Sequence, residues 1–425
     1  MKYKLKDLCS ITKGATGIMK ADGGKYPLVA LSDERRSHSE YQFDAKAVIV
    51  PLISSTGHGH ASMKRVHYQE GKFALGNILC AVIPNDETQL NAKYLHLYLQ
   101  QFKETLLVPL MKGAANVSLP MNKLADVEIE VPSLERQLEI IELEEEAAEY
   151  KNELEERLIA QNGDVSKLRQ ALLREAIQGK LTSQDAKDGN AKDLLVKIKT
   201  EKAKSGKKEK PLPSIKPEEI PFEIPENWVW CRLGEACVIN PRNKADENID
   251  AAFIPMPMIS QKYNEPPQFE VRKWGAIKSG FTHFSNDDVV VAKITPCFEN
   301  SKAGIMKNLP NGIGAGTTEL HVIRGNGFVL PEYIYAFIKT PEFLANGERI
   351  MRGVAGQQRV PSEYFYESLI PLPPFEEQNR IVNRIEQLLQ LCDELQYSIQ
   401  QSKIENEKLL QGALKDALKK EEVEV

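Results

Sequence analysis

The chain has no apolar run approaching the roughly 18 residues needed to cross a bilayer. Its opening residues, MKYKLKDLCS, lack the apolar core of a secretory signal, so a cytoplasmic protein with no membrane association is expected. Six cysteines (Cys9, Cys80, Cys231, Cys237, Cys297 and Cys392) lie scattered, with no C-x-x-C pair and no Cys/His spacing that suits zinc. They read as buried thiols. The net charge of −5 excludes a surface coated in positive charge but leaves room for a local basic cleft.

Catalytic signatures are missing as well. No G-x-x-x-x-G-K-[ST] phosphate loop is present, so nucleotide hydrolysis lacks its cradle. No Asn-Pro-Pro-aromatic tetrapeptide of the kind used by amino-methyltransferases occurs, and NPRN at Asn240 reads as a loop. The glycine-rich NGIGAGTTEL (311–320) lacks the strand and helix context of a dinucleotide loop and is expected to be a surface turn. His58 and His60 stand two apart with no carboxylate or cysteine beside them, which does not make a metal site.

What the chain does contain is itself, twice. VPSLERQ (131–137) returns as LPPFEEQ (372–378), 241 positions later when Pro132 is set on Pro373. AVIVPLIS (47–54) sets against DVVVAKIT (288–295) at the same offset, and LMKGAANVSLP (110–120) against IMRGVAGQQRVP (350–361) with one extra residue. NAKYLHLYLQ (91–100) resembles LPEYIYAFIK (330–339), and YKLKDLCSITKG (3–14) rhymes with WCRLGEACVINPR (230–242). Anchors in one order in both copies mark a tandem duplication.

Each copy begins with short β-branched stretches such as AVIVPLI and VEIEV, broken by Gly, Pro, Asn and Asp, which predicts strands and turns. KYLHLYLQQFKETLL and EYIYAFIKTPEFLANG are the helices expected among them. After the proline punctuation, apolar residues recur every three to four positions on a charged background. They are Leu138, Ile141, Leu154, Leu158, Leu168, Leu172 and Ile177 in the first copy, and Ile381, Ile385, Leu388, Leu395, Ile399, Leu409 and Leu414 in the second. That spacing predicts two amphipathic helices of about 40 residues whose stripes pair as a coiled coil. QNGDV (161–165) is expected to kink the first or shift its register.

The boundaries follow: globular domains at 1–133 and 226–373, helical regions at 134–181 and 374–420, a linker at 182–225 and a tail at 421–425. The linker is lysine-rich, then proline-rich, and is expected to be mobile. The fold class is α+β, with two mixed globular domains separated by two long helices.

These residues resemble the specificity subunit of type I restriction-modification systems along nearly the whole chain. The stretches that carry the resemblance are LRQALLREAIQGKLTSQD (168–185), AKDLLVKIKTEKAK (191–204), EEIPFEIPENWVWCRLGE (218–235), AKITPCFENSKAG (292–304) and PPFEEQNRIVNRI (373–385). The resemblance implies two target recognition domains on antiparallel helices in a pseudo-twofold molecule, each domain reading one half of a bipartite, asymmetric double-stranded DNA target. It also implies a subunit without catalysis of its own, which recruits two adenine methyltransferase and two translocase-nuclease subunits. S-adenosylmethionine, ATP and magnesium would then belong to those partners, with no cofactor in this chain. A coiled-coil protein scaffold and a self-contained DNA-modifying enzyme are the alternatives. The first predicts no salt-sensitive DNA binding, and the second predicts cofactor binding by the chain alone.

Base edges are read by side chains on loops that approach the duplex closely, with Arg suited to guanine and Asn or Gln to adenine. The matched loops supply the candidates. One pair carries Lys112 and Asn116 in the first copy, and Arg352, Gln357, Gln358 and Arg359 in the second. The other carries Ser54, Ser55, His58, His60, Lys64 and Arg65, then Lys293, Asn300 and Lys302. Glu135, Gln137, Glu376 and Gln378, repeated at the helix starts, are the candidates for partner contact, although capping of the helix would also account for them.

Overall fold

The computed structural model describes residues 1–17, 23–55, 60–113, 117–204, 211–263 and 265–419. Backbone contacts divide it into two units, Met1–Ile159 with Gln400–Val425, and Ala160–Ile399. The division passes through both long helices.

In the first unit, Ala47–Pro51 is buried at every residue, as a continuous apolar run in a central strand should be. It lies in a four-stranded sheet ordered Cys9–Lys13, Leu79–Pro84, Ala47–Pro51, His67–Gln69. A second four-stranded sheet is ordered Arg36–His38, Tyr26–Val29, Lys72–Leu75, Phe43–Asp44, with its central pair parallel. Lys2–Lys4 pairs with Glu128–Glu130 in front of the long helix.

The second unit repeats this strand for strand. Its sheets run Val238–Ile239, Leu320–Arg324, Asp288–Ala292, Ala303–Ile305, and Glu270–Lys273, Asp250–Ile254, Ile313–Gly316, Thr282–Ser285. The central pair of the second sheet is again parallel, and Val229–Arg232 pairs with Leu369–Leu372 before the other long helix. NGIGAGTTEL is therefore no surface turn: Ile313–Gly316 is an internal strand. A Cβ at Gly314 would lie 2.3 Å from a ring carbon of Phe284, so only glycine fits there.

The helix expected from KYLHLYLQQFKETLL runs over Ala92–Leu106, its start capped by the Asn91 side chain. Its counterpart is two helices, Pro331–Ile338 and Pro341–Arg349. Pro341 cannot donate to the preceding turn, and the Thr340 hydroxyl accepts from the Phe343 amide to start a new helix.

The long helices cover Leu134–Ile177, 44 residues, and Phe375–Lys419, 45 residues. In the first unit Arg136 near the start of one donates to the Ala417 carbonyl near the end of the other, 3.4 Å away. In the second unit Arg169 reaches Asp393 at 2.5 Å. Within each unit the two helical stretches run in opposite directions: Leu143 to Tyr150 lies along Leu410 to Leu414 in the first, and Leu173 and Ile177 pack with Ile381 to Leu389 in the second. Helix hydrogen bonding continues unbroken through Gln161–Val165. Gly163 costs about 1 kcal/mol relative to alanine, too little to break a helix supported on both sides.

The expected mobile linker is corrected more sharply. Ala191–Lys204 is a helix whose Ala191, Leu194, Leu195 and Ile198, at helical spacing, pack into the second unit's core. Arg380 binds Asp188, Lys199 binds Glu235, and Lys202 donates to the Gly234 and Cys237 carbonyls. Beyond residues 205–210, which lie outside the described residues, buried Arg232 gathers Pro213, Glu219 and the Glu367 carbonyl. The apolar face of the helix packs on the core while Lys199 finds a carboxylate and Lys202 two carbonyls, so a lysine-rich composition did not require a solvated chain.

Candidate nucleic-acid interface

In the first unit, the segment after strand Ala47–Pro51 meets the segment before the short helix Met121–Ala125. The Leu119 amide donates to the Leu52 carbonyl and the Ser54 amide to the Val117 carbonyl, both at 2.9 Å. Lys112 and Ser118 exchange both backbone hydrogen bonds, at 2.8 and 2.9 Å, which brings these two positions together. Gly113 opens the loop between them at φ 136°, where a side chain is strained. Lys112 is exposed at its base, and Asn116 lies outside the described residues.

The companion loop is tied to itself. The Ser54 hydroxyl donates to the His60 carbonyl at 2.6 Å and accepts from the Ser62 amide, and the Ser55 hydroxyl accepts from the Lys64 amide at 2.8 Å. Both serines therefore shape the loop, while Ser55, His60 and Lys64 are exposed along it. Arg65 pairs with Asp33, and its Nε has no hydrogen-bond partner among the described residues. His58 lies outside the described residues.

The second unit builds the same frame. The Val360 amide donates to the Lys293 carbonyl at 2.8 Å and the Thr295 amide to the Gln358 carbonyl at 2.9 Å. Arg352 and Arg359 exchange both backbone bonds, with Gly353 at φ 131° opening the loop between them. Arg352 and Gln357 are exposed, and Gln358 is half-buried. Asn300 is exposed, and Lys302 lies where its carbonyl accepts from Ala292. The two loop families singled out separately in the sequence are thus joined by backbone hydrogen bonds in each unit.

Two further residues, Glu319 and Lys339, help organise the second site. Glu319 takes both prongs of Arg359, at 2.8 Å to Nε and 2.8 Å to Nη2, and Arg359 holds its carboxyl below the usual range. The Lys293 amide donates to the Glu319 carbonyl at 3.0 Å, and burial lowers the Lys293 ammonium pKa. Lys339, buried where the two short helices meet, donates to the Ser301 and Gln261 carbonyls. Burial without a carboxylate pulls its pKa down to about 8. Neither Glu319 nor Lys339 was singled out from the sequence. The 241 offset sets Glu319 on Ile78, and that exchange of acid for apolar residue was the available signal.

The helix starts resolve differently from expectation. Gln137 and Gln378 are fully buried, their amides spent inside the chain, so they offer no surface to a partner. Glu135 and Glu376 are exposed. Glu377, between Glu376 and Gln378 in the second copy, is buried and accepts from Trp228 Nε1 and Gln184 Nε2, both at 2.8 Å. Among the described residues no three His, Cys, Asp or Glu side chains group as a metal site.

A sheet architecture built twice on long helices, each copy presenting a glycine-opened loop with a cationic side chain at its base, Lys112 in one and Arg352 in the other, defines a duplicated recognition protein. The chain belongs to the type I restriction modification DNA specificity domain family, matched over residues 1–161 and 225–406. It is 46% identical over 269 residues to the specificity subunit of the type I restriction enzyme EcoAI of Escherichia coli, covering 61% of this chain and 46% of that protein. To the EcoEI specificity subunit of Escherichia coli it is 47% identical over 239 residues, 55% of this chain and 40% of that one. The chain thus spans less than half the length of these curated relatives. The HsdS subunit from Thermoanaerobacter tengcongensis, at 16% identity and a TM-score of 0.56 over 98% of this chain and 96% of that one, shares the fold.

Proposed function

We propose that this chain is the sequence-specific DNA-binding subunit of a type I restriction-modification complex, each unit reading one half of a bipartite, asymmetric double-stranded target and the helices setting the spacing. The observation that carries the reading is the repeated loop frame with unequal contents: one backbone scaffold at two sites, carrying Lys112 and Ser118 in one and Arg352 and Arg359 in the other. One site discriminates by about 1–3 kcal/mol per base pair, too little for a genome, and two sites on stiff helices combine their selectivities.

The reading assigns recognition to this chain and catalysis to two methyltransferase and two translocase-nuclease subunits. Support for a partner surface comes from the helices. Leu143, Ala147, Tyr150, Leu410, Ala413 and Leu414 line an open apolar groove in the first unit, beside exposed Leu138, Ile159 and Leu409. Apolar side chains left in water along a helix pair mark a protein interface.

The test is methylation mapping by long-read sequencing in a host that expresses this chain with a type I methyltransferase subunit. One bipartite asymmetric motif carrying methyladenine in both halves is expected. Methylation that is absent, or unchanged when this chain is removed, overturns the proposal.

A further inference from the structure

Three backbone hydrogen bonds put equivalent residues of the two units in register. Leu52 amide to Ile78 carbonyl (2.9 Å) matches Lys293 to Glu319 (3.0 Å), Ser54 to Val117 matches Thr295 to Gln358, and Leu119 to Leu52 matches Val360 to Lys293. The bridge of Ile53 to Ser118 likewise matches that of Ile294 to Arg359. At three neighbouring positions of one scaffold, the first unit therefore holds Leu52, Ile78 and Ser118, and the second holds Lys293, Glu319 and Arg359. A backbone held fixed while its side chains turn from apolar and neutral to charged is what two readers of different sequences require.

The charged set has a defined geometry. A guanidinium offers five N–H donors. Arg359 spends Nε–H and one Nη2–H on the Glu319 carboxylate and one Nη1–H on the Gln357 carbonyl, 2.7 Å away. One donor on each of Nη1 and Nη2 is left, a two-pronged fork on a side chain that stays 41% exposed. Such a fork matches the O6 and N7 acceptors of guanine in the major groove.

Charge argues against the commoner alternative, a contact to phosphate. Glu319 cancels the charge of Arg359 locally, which weakens the attraction to a phosphate but leaves the directional donors intact. The base edge, which is neutral, is then the better partner. Three anchored nitrogens also remove the rotamer freedom that a lone arginine loses on binding.

We propose that Arg359, oriented by Glu319, selects a guanine in the half-site read by the second unit, and that the first unit has no such selection because Ser118 and Ile78 occupy the equivalent positions. Glu319 is a positioning residue. The proposal rests on the DNA-reading function put forward above and names the base that one side chain recognises.

The experiment is enrichment from a randomised duplex DNA library by the purified full-length chain and by its variants Arg359→Lys, Arg359→Ala, Glu319→Gln and Ser118→Ala, each checked for an unchanged melting temperature. The native chain is expected to select a bipartite motif with a guanine in one half. Arg359→Lys and Arg359→Ala should lose preference for that guanine alone, by about 10- to 100-fold, and leave the other half intact. Glu319→Gln should lose part of the same preference, and Ser118→Ala none of it. Uniform weakening by Arg359→Ala, rescued by Arg359→Lys with every base preference kept, identifies a phosphate contact and overturns the proposal. Unchanged selection by Glu319→Gln overturns the positioning role. Should the native chain enrich no motif at all, the DNA-reading function itself fails, an outcome distinct from either.

Discussion

Gln137 and Gln378 make the same hydrogen bonds at the starts of the two long helices. Gln137 Oε1 accepts from the Asn91 amide at 2.8 Å, and its Nε2 donates to the Gln89 and Pro132 carbonyls. Gln378 Oε1 accepts from the Leu330 amide at 2.9 Å, and its Nε2 donates to the Phe328 and Pro373 carbonyls. Each amide bolts the loop before a globular helix to the proline turn that opens a long one.

Replacing either glutamine strands buried groups on both sides. Gln137→Ala and Gln378→Ala are each expected to cost about 1–3 kcal/mol, since unsatisfied buried donors and acceptors carry their full desolvation penalty. Urea titration followed by circular dichroism reads this directly. Gln378→Glu should be worse than Gln378→Ala, because a carboxylate cannot donate to the Phe328 and Pro373 carbonyls.

The duplication supplies its own control for a buried ion pair. Asp288, fully buried, takes both prongs of Arg324 at 2.7 Å on neighbouring strands, whereas the first unit has Ala47 and Ile83 at these positions. Asp288→Ala alone is expected to cost about 3–5 kcal/mol by leaving a guanidinium unpaired. The double variant Asp288→Ala with Arg324→Ile copies the first unit and should recover most of that loss. A double variant no more stable than Asp288→Ala would show that the surrounding polar groups, Ser285 and Asn243, matter more than the pair.

His321 predicts how stability depends on pH. It is buried between the Val360 carbonyl and Asn240, and burial pushes its pKa down to about 4. Between about pH 4 and its unfolded value near 6.5 the unfolded chain binds the extra proton, so stability contributed above pH 6.5 drains away as pH falls through that window. At pH 5 the loss is about 2 kcal/mol. His67, also pushed to about 4 by burial, adds in the same direction. Urea midpoints at pH 7.5 and 5.0 should separate less in His321→Gln than in the native chain.

Glu377 fastens the segment between the copies. Thr182, Gln184, Asn227 and Trp228 all donate to its carboxylate. Glu377→Ala should loosen that segment, so that trypsin cuts within Ala191–Lys204 at least ten times faster than in the native protein. Mass spectrometry of the fragments locates the cut. Equal rates would mean that packing of Ile198 and its neighbours suffices without the carboxylate.

Much of this was legible in the sequence because duplication prints a fold twice. Matching AVIVPLIS to DVVVAKIT placed equivalent buried strands, and matching LMKGAANVSLP to IMRGVAGQQRVP placed equivalent loops. The helical stripe was only partly right. Leu138, Leu168, Leu395 and Leu409 stand exposed, while Ile140, Leu173, Leu389 and Cys392 are buried. Each helix packs on sheet domain over one stretch and on its partner helix over another, so the buried face shifts along its length and one period cannot describe it.

The sequence by itself determined the duplication, the β-rich domains and the two long helices. Those follow from local periodicity, turn chemistry and self-similarity, which need no knowledge of distant contacts. Only tertiary structure decided that the lysine-rich segment docks, that Gln137 and Gln378 are internal clamps, and that Glu319 holds Arg359. Each of these depends on polar groups brought together from far along the chain. A lysine, glutamine or glutamate reads as solvated until the fold places a carbonyl, amide or guanidinium within about 3 Å of it.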